Sequence, residues 1–139
     1  MSLTTREFVG LDYDEAVKLW EMVEGVEIAE GDSKSEVISY LLRNPGLSRV
    51  AEESGTMAGA VLCGHDGRRG YIYHLAVAPT HHGKGIGKRL VQECVARLHE
   101  AGVARALIFV AGDNPGGRAF WLRNGWEEVE GAILMGIDL

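Results

Sequence analysis

The chain has 139 residues, of which 46% are apolar and 24% charged, and its formal net charge is −6. Those proportions describe a folded globular domain and exclude a disordered, collagen-like or coiled-coil chain. No apolar run approaches the ~18 residues of a membrane span, no basic-then-apolar leader opens the sequence, and the acidic balance argues against a nucleic-acid backbone as partner. One domain spanning residues 1–139 is the expectation at this length. Cys63 and Cys94 have no metal-ligand spacing and read as buried free thiols of a cytoplasmic protein. The five histidines include no pair at ligand spacing, so no metal is expected.

The elements follow in chain order. Thr4 to Val9 alternates weakly, as a first strand would. Asp12-Tyr13-Asp14-Glu15 has the form of a capping box, with Ala16, Leu19, Trp20 and Val23 at helical spacing behind it, so a helix is predicted from Tyr13 to Glu24. Ser33-Lys34-Ser35-Glu36 is a second capping box, opening a helix that Asn44-Pro45-Gly46 ends. Leu47 to Glu53, Met57 to His65 and Tyr71 to Val77 read as an antiparallel meander joined by two turns. A glycine-rich loop then leads into a helix from Gly85 to Ala101, with Gly102 closing it. Val103 to Val110 reads as a buried strand, Gly112 to Gly116 as a turn into a short helix that carries Ala119, Phe120 and Leu122 and ends at Asn124-Gly125, and Trp126–Glu130 with Ala132–Asp138 as a last hairpin around Gly131. The sum is one α/β domain with a mixed sheet.

Charge is unevenly placed. Nine acids and two lysines lie between Asp12 and Glu36, whereas His81 to Arg89 holds three cations, two histidines and no acid. Two ligands of opposite charge are one reading of that asymmetry; a solvated helix face and a helix terminus are the other.

The segment Leu75-Ala76-Val77-Ala78-Pro79-Thr80-His81-His82-Gly83-Lys84-Gly85-Ile86-Gly87-Lys88-Arg89 carries the chemistry. It is a strand, a glycine-rich turn and a helix start. Unpaired N–H groups and the helix dipole converge there on an anion site suited to a pyrophosphate. A Walker A loop would need glycine at His82 and Ser or Thr at Arg89. A dinucleotide fingerprint would need G-x-G-x-x-G, whereas Gly83, Gly85 and Gly87 run G-x-G-x-G.

The segment resembles the acetyl-CoA pyrophosphate motif of the GNAT superfamily, [RQ]-x-x-G-x-[GA]. His82-Gly83-Lys84-Gly85-Ile86-Gly87 departs from it only at His82, and Leu75-x-Val77-x-Pro79 precedes it as the family's pattern does. The family's second motif is met at Asn114, Gly117, Phe120, Trp121, Gly125 and Trp126. The small single-domain bacterial members are the subgroup it looks like. The resemblance implies a mixed, mostly antiparallel, splayed sheet of six or seven strands flanked by about four helices.

It also implies an acetyl-CoA-dependent N-acetyltransferase that moves acetyl directly to an amine in a ternary complex. Leu75, Ala76 and Val77 would pair with the pantetheine arm. The Val77 N–H, beside a bulge there, would stabilise the oxyanion. His82, Gly83, Lys84, Gly85, Ile86, Gly87 and Lys88 would hold the pyrophosphate. Asn114 and Trp121 would meet the pantetheine, or Asn114 would form an Asx turn and Trp121 would fill core. Many members are dimers, so a homodimer is a further expectation.

The acid and base do not follow the family. Trp121 stands where many members carry tyrosine, and an indole N–H does not give up a proton near neutral pH. Phe109 stands where some carry glutamate. Tyr73 is the first candidate for acid or water-mediated base, sharing a strand face with Leu75 and Val77. His74 points the other way in a regular strand and reads as a core histidine. The acidic N-terminal helices suggest a cationic acceptor such as a polyamine, an aminoglycoside or a peptide N-terminus. Two alternatives stay open: a non-catalytic acyl-CoA-binding sensor or interaction module, and a transferase for a larger acyl group.

Overall fold

The computed structural model describes residues 2–139. Its elements fall into two units, one ending at Phe109 and a smaller one, Val110–Leu139. The larger unit holds β1 (Leu3–Glu7), α1 (Tyr13–Met22), α2 (Lys34–Arg43), β2 (Arg49–Glu53), β3 (Thr56–His65), β4 (Gly70–Val77), α3 (Ile86–Glu100) and β5 (Ala106–Ile108). The smaller unit holds α4 (Pro115–Arg123).

The strands form one five-stranded sheet in the order β1-β2-β3-β4-β5 among the described residues. The first four are antiparallel neighbours, and β5 joins β4 in parallel. The two turns of the meander have local causes. Ser54 and Gly55 both take positive φ, 55° and 77°, which the two-residue turn between β2 and β3 requires. Between β3 and β4, Asp66 Oδ1 accepts the N–H groups of Arg68 and Arg69, each at 2.8 Å.

The sheet is covered on both faces. On one, Phe8, Ala16, Leu19, Trp20, Val37 and Leu41 bury Val50, Ala60, Leu62 and Ala76. On the other lies α3, whose buried stripe is Ile86, Leu90, Val91, Cys94 and Leu98. Small residues let that helix lie close. A Cβ on Gly59 would sit 3.1 Å from both Ile86 and Leu90, and one on Gly70 would sit 2.6 Å from Leu98. Cys63 and Cys94 are buried free thiols.

Polar ties bind the helices to the sheet. Glu93 of α3 accepts from Thr5 of β1 at 2.7 Å and from Arg49 of β2 at 3.1 Å. Arg6 joins Asp12 and Glu52, each at 2.8 Å. The Ser33–Glu36 capping box forms as expected. The one predicted at Asp12–Glu15 does not. Asp12 instead takes Arg6 and the Val9 N–H, and Glu15 accepts the Met57 N–H at 2.9 Å. Those long-range partners outcompete a local cap.

Two further expectations are corrected. The sheet has five strands rather than six or seven, because residues 126–138 form no strand pair. β5 is also shorter than the predicted strand, covering three residues. Ile133, Leu134, Met135 and Ile137 are exposed, so apolar alternation alone does not make strands where no partner is hydrogen-bonded.

Burial works to raise the Glu93 carboxyl, but the Thr5, Arg49 and Arg89 contacts outweigh it and hold it below the usual carboxylate range. Arg6 holds Glu52 low in the same way, and holds Asp12 low against its burial. A depressed native value adds stability above the unfolded value and loses it as pH falls toward the native one. The thermal midpoint should therefore be flat above about pH 5 and drop by roughly 5 °C or more by about pH 3. Glu93→Gln should start lower and fall less steeply; an identical slope in calorimetric scans would remove Glu93 from the acid transition.

Candidate active site

The site begins at a gap in the sheet. β5 pairs with β4 only from Gly70 to Ile72. Beyond Ile72 no strand is paired to that side of β4, from Tyr73 to Val77, among the described residues. An extended, amide-bearing ligand can hydrogen-bond there as an added strand would.

A bulge interrupts the same segment. On the β3 side, Leu62 faces Tyr73 and Ala60 faces Ala76, so His74 and Leu75 together oppose Val61 alone. His74 absorbs the extra residue with φ +52°. The expected bulge thus lies upstream of Val77. It also shifts the pleat. Tyr73 pairs with Leu62 on the face covered by α1 and α2, whereas Val77 pairs with Gly59, which faces α3. Tyr73 and Val77 therefore do not share a face, and His74 turns to the α1 side, its ring centroid 4.9 Å from that of Trp20. Regular alternation fails at this point because a bulge has no sequence period.

Downstream, Pro79–His81 makes a single 3-10 turn and the chain enters α3 through Gly83 and Gly85, with φ of 77° and 76°. No side chain caps α3, so the first N–H groups of Ile86, Gly87 and Lys88 face outward without a side-chain acceptor. A Cβ at Gly83 or Gly85 would meet nothing within 4 Å, so an anion has room to approach the backbone. Lys84 and Lys88 are exposed beside it. Arg89 is directed elsewhere, to Glu93 and Thr5 at 3.3 Å.

The histidines of the loop serve its shape. His81 bridges Thr80 Oγ1 at 2.9 Å and Glu53 Oε1 at 3.2 Å. His82 turns back onto the strand, where Nε2 donates to the Val77 carbonyl at 2.9 Å. A carbonyl can only accept, so His82 carries its proton on Nε2 in this contact.

Above β4 lies an aromatic wall. Tyr73, 37% exposed, lies at ring-centroid distances of 6.2 Å from Tyr71, 6.4 Å from Phe109 and 6.5 Å from Tyr40. Burial, and to a lesser degree Tyr71, pushes the Tyr73 hydroxyl above its ordinary value. It is therefore a proton donor at neutral pH rather than a base. Phe109 follows β5 and is 53% exposed, giving that position ring surface in place of a carboxylate.

The smaller unit places Asn114 as the cap of α4, its Oδ1 accepting the Gly117 N–H at 3.0 Å. A Cβ at Gly117 would collide with the Asn114 side-chain amide, so the cap needs glycine there. Trp121 packs edge-on against Phe120 and Trp126 at 5.3 Å and 4.9 Å. Of the acids in the N-terminal stretch, Asp12, Asp14, Glu15, Asp32 and Glu36 each bind a partner within the fold. Glu21, Glu24, Glu27 and Glu30 are exposed and bind none among the described residues.

Comparison with known proteins agrees with this geometry. The model of the acetyltransferase (GNAT) family matches residues 13–126. An acetyltransferase of Sodalis glossinidius is 29% identical over 125 residues, which is 90% of this chain and 87% of the relative. One of Yersinia enterocolitica is 33% identical over 109 residues, covering 78% and 77%. Among solved structures, the PaiA N-acetyltransferase of Thermoplasma acidophilum in complex with coenzyme A matches with a TM-score of 0.77 at 20% identity. That match covers 94% of each chain. The fold and site define an acyltransferase that uses acetyl-CoA. The chain belongs to the acetyltransferase (GNAT) family.

If the uncapped start of α3 receives the pyrophosphate, a β-carbon there must obstruct it. Gly85→Val should weaken acetyl-CoA binding by ~10-fold or more. Gly67→Val is the control, because Gly67 has φ +90° and the same open surroundings in the β3–β4 turn. Calorimetric titration that shows equal weakening in both would assign the effect to backbone strain.

Proposed function

We propose that the enzyme acetylates a primary amine, bound as its cation, by direct attack on acetyl-CoA in a ternary complex. The open edge of β4 carries the reading. A pantetheine arm laid along Leu75, Ala76 and Val77 would bring the thioester to the unpaired side of β4 downstream of the bulge, where an N–H group is free to meet an oxyanion. Val77 supplies that donor in this reading. Gly83 to Lys88 bind the pyrophosphate, and His82 holds the edge of β4 in shape. Asn114 and Trp121 are assigned to the pantetheine on the strength of their motif.

Tyr73 is the proton donor to the departing thiolate. Its raised hydroxyl supports that role over the role of base. Glu21, Glu24, Glu27 and Glu30, exposed and unpaired among the described residues, support a cationic acceptor. Two structural neighbours are AAC(6')-Iy in complex with the bisubstrate analogue CoA-S-monomethyl-acetylneamine, and an aminoglycoside acetyltransferase from a soil metagenome in complex with sisomicin. At 15% and 17% identity they share the fold with this chain. The reading includes a homodimer, for which exposed Ile133, Leu134, Met135 and Ile137 supply apolar surface. It also places the enzyme in a reducing cytoplasm, in keeping with the buried thiols.

A thiol-release assay with a panel of primary amines tests this. Turnover should appear with a polyamine, an aminoglycoside or a peptide amine, and kcat/KM should fall as salt rises. Tyr73→Phe should lower kcat ~10-fold with acetyl-CoA affinity little changed. Tight acetyl-CoA binding without thiol release from any amine would instead favour a sensor. Unchanged turnover in Tyr73→Phe would remove that residue from the chemistry.

A further inference from the structure

The loop between α1 and α2 is fastened to the bulge of β4 by one pair of side chains. Asp32 Oδ2 lies 2.9 Å from His74 Nε2, with the side chains 14% and 17% exposed respectively. The carboxylate is itself held. Oδ2 accepts the Ala29 N–H at 3.0 Å, and the Asp32 carbonyl accepts the Tyr13 hydroxyl at 2.6 Å. Trp20 packs on the ring from α1. The imidazole is thus oriented by a carboxylate on one side and an indole on another, and it keeps some access to solvent.

The backbone under it is costly. Apart from Ser54 in the two-residue hairpin turn, His74 is the non-glycine residue with positive φ among the described residues. Such a residue in a strand is strained and persists where surrounding contacts impose it. The consequence is specific. A regular strand would bury His74 against α3; the bulge sends it to the α1 side, on the stretch of β4 whose other edge is open.

An Asp at Nε2 keeps the proton of a neutral imidazole on that nitrogen and leaves the lone pair on Nδ1. That is the arrangement of a carboxylate-oriented general base. The need for one is real, because Phe109 has no basic atom, Trp121 only donates, and the Tyr73 hydroxyl is held protonated.

We propose that His74 is the base that takes a proton from the acceptor ammonium, with Asp32 as its positioning residue. The inference rests on the amine-acceptor reading above. The ammonium N–H bond breaks and its proton passes to Nδ1. The freed amine lone pair forms the C–N bond at the thioester carbon, giving a tetrahedral oxyanion. That oxyanion collapses with cleavage of the C–S bond. Tyr73 protonates the departing thiolate and regains its proton from the second amine N–H, giving amide and free thiol, and the imidazolium returns its proton to solvent.

The test uses the whole protein, acetyl-CoA, the cationic amine with the highest turnover in the panel, and methoxyamine, which is already neutral at neutral pH. His74→Gln retains a donor for Asp32 and removes the base. Its kcat on the cationic amine should fall ~100-fold or more, its acetyl-CoA affinity by no more than about two-fold, and its methoxyamine turnover by no more than about three-fold. Asp32→Asn leaves the imidazole in place and should lose ~10-fold in kcat on the cationic amine alone, which keeps the test decisive if the glutamine variant does not fold. A wild-type protein that binds acetyl-CoA but acetylates no amine overturns the acceptor reading itself. A wild-type protein that is active, with His74→Gln turnover unchanged or equally reduced on both amines, overturns only the role of His74.

Discussion

The partial pairing of β4 is the constraint on which the site depends. Three residues of β5 hold its start, and Tyr73 to Val77 are left with one neighbouring strand. A buried strand edge with unmet hydrogen bonds is unfavourable, and a surface edge invites another chain. Here the open segment ends at Val77, because the His82 ring donates to the Val77 carbonyl at 2.9 Å. What remains open has the length and chemistry of an amide-bearing arm.

The bulge then sets the direction of the side chains along this edge. It breaks the pairing at Val61, reverses the pleat between Tyr73 and Val77, and brings His74 over to Trp20 and Asp32. Backbone and side chains are therefore set by a single extra residue. The glycine-rich entry to α3 follows within about ten positions, so strand, turn and helix start follow one another directly. On its far side α3 is fixed to β1 and β2 through Glu93, which ties the anion site to the rigid part of the sheet.

Much of this was legible in the residues. The spacing of Gly83, Gly85 and Gly87 after Leu75-x-Val77-x-Pro79 identified strand, turn and helix, and Ser33–Glu36 marked its helix by a local bond. What was illegible depended on partners distant in sequence. Asp12 looks like a cap until Arg6 and Val9 claim it, and Glu15 until Met57 does. Likewise, nine acids look like an electrostatic field, yet five of them bind within the fold. His74 lies on the face opposite to the one alternation predicts, because alternation has no mark for a bulge; a histidine flanked by Tyr73 and Leu75 carries no signal of positive φ. The alternation in residues 126–138 predicted strands that need a partner edge the sequence cannot show.

In the proposed complex, acetyl-CoA lies along the open edge of β4 and ends at the start of α3. Amide hydrogen exchange with and without saturating acetyl-CoA tests it most directly. Protection should concentrate at Leu75 to Val77 and at Gly83 to Lys88, with β1 and β2 unchanged. Saturable binding that leaves those two segments unprotected would contradict the account.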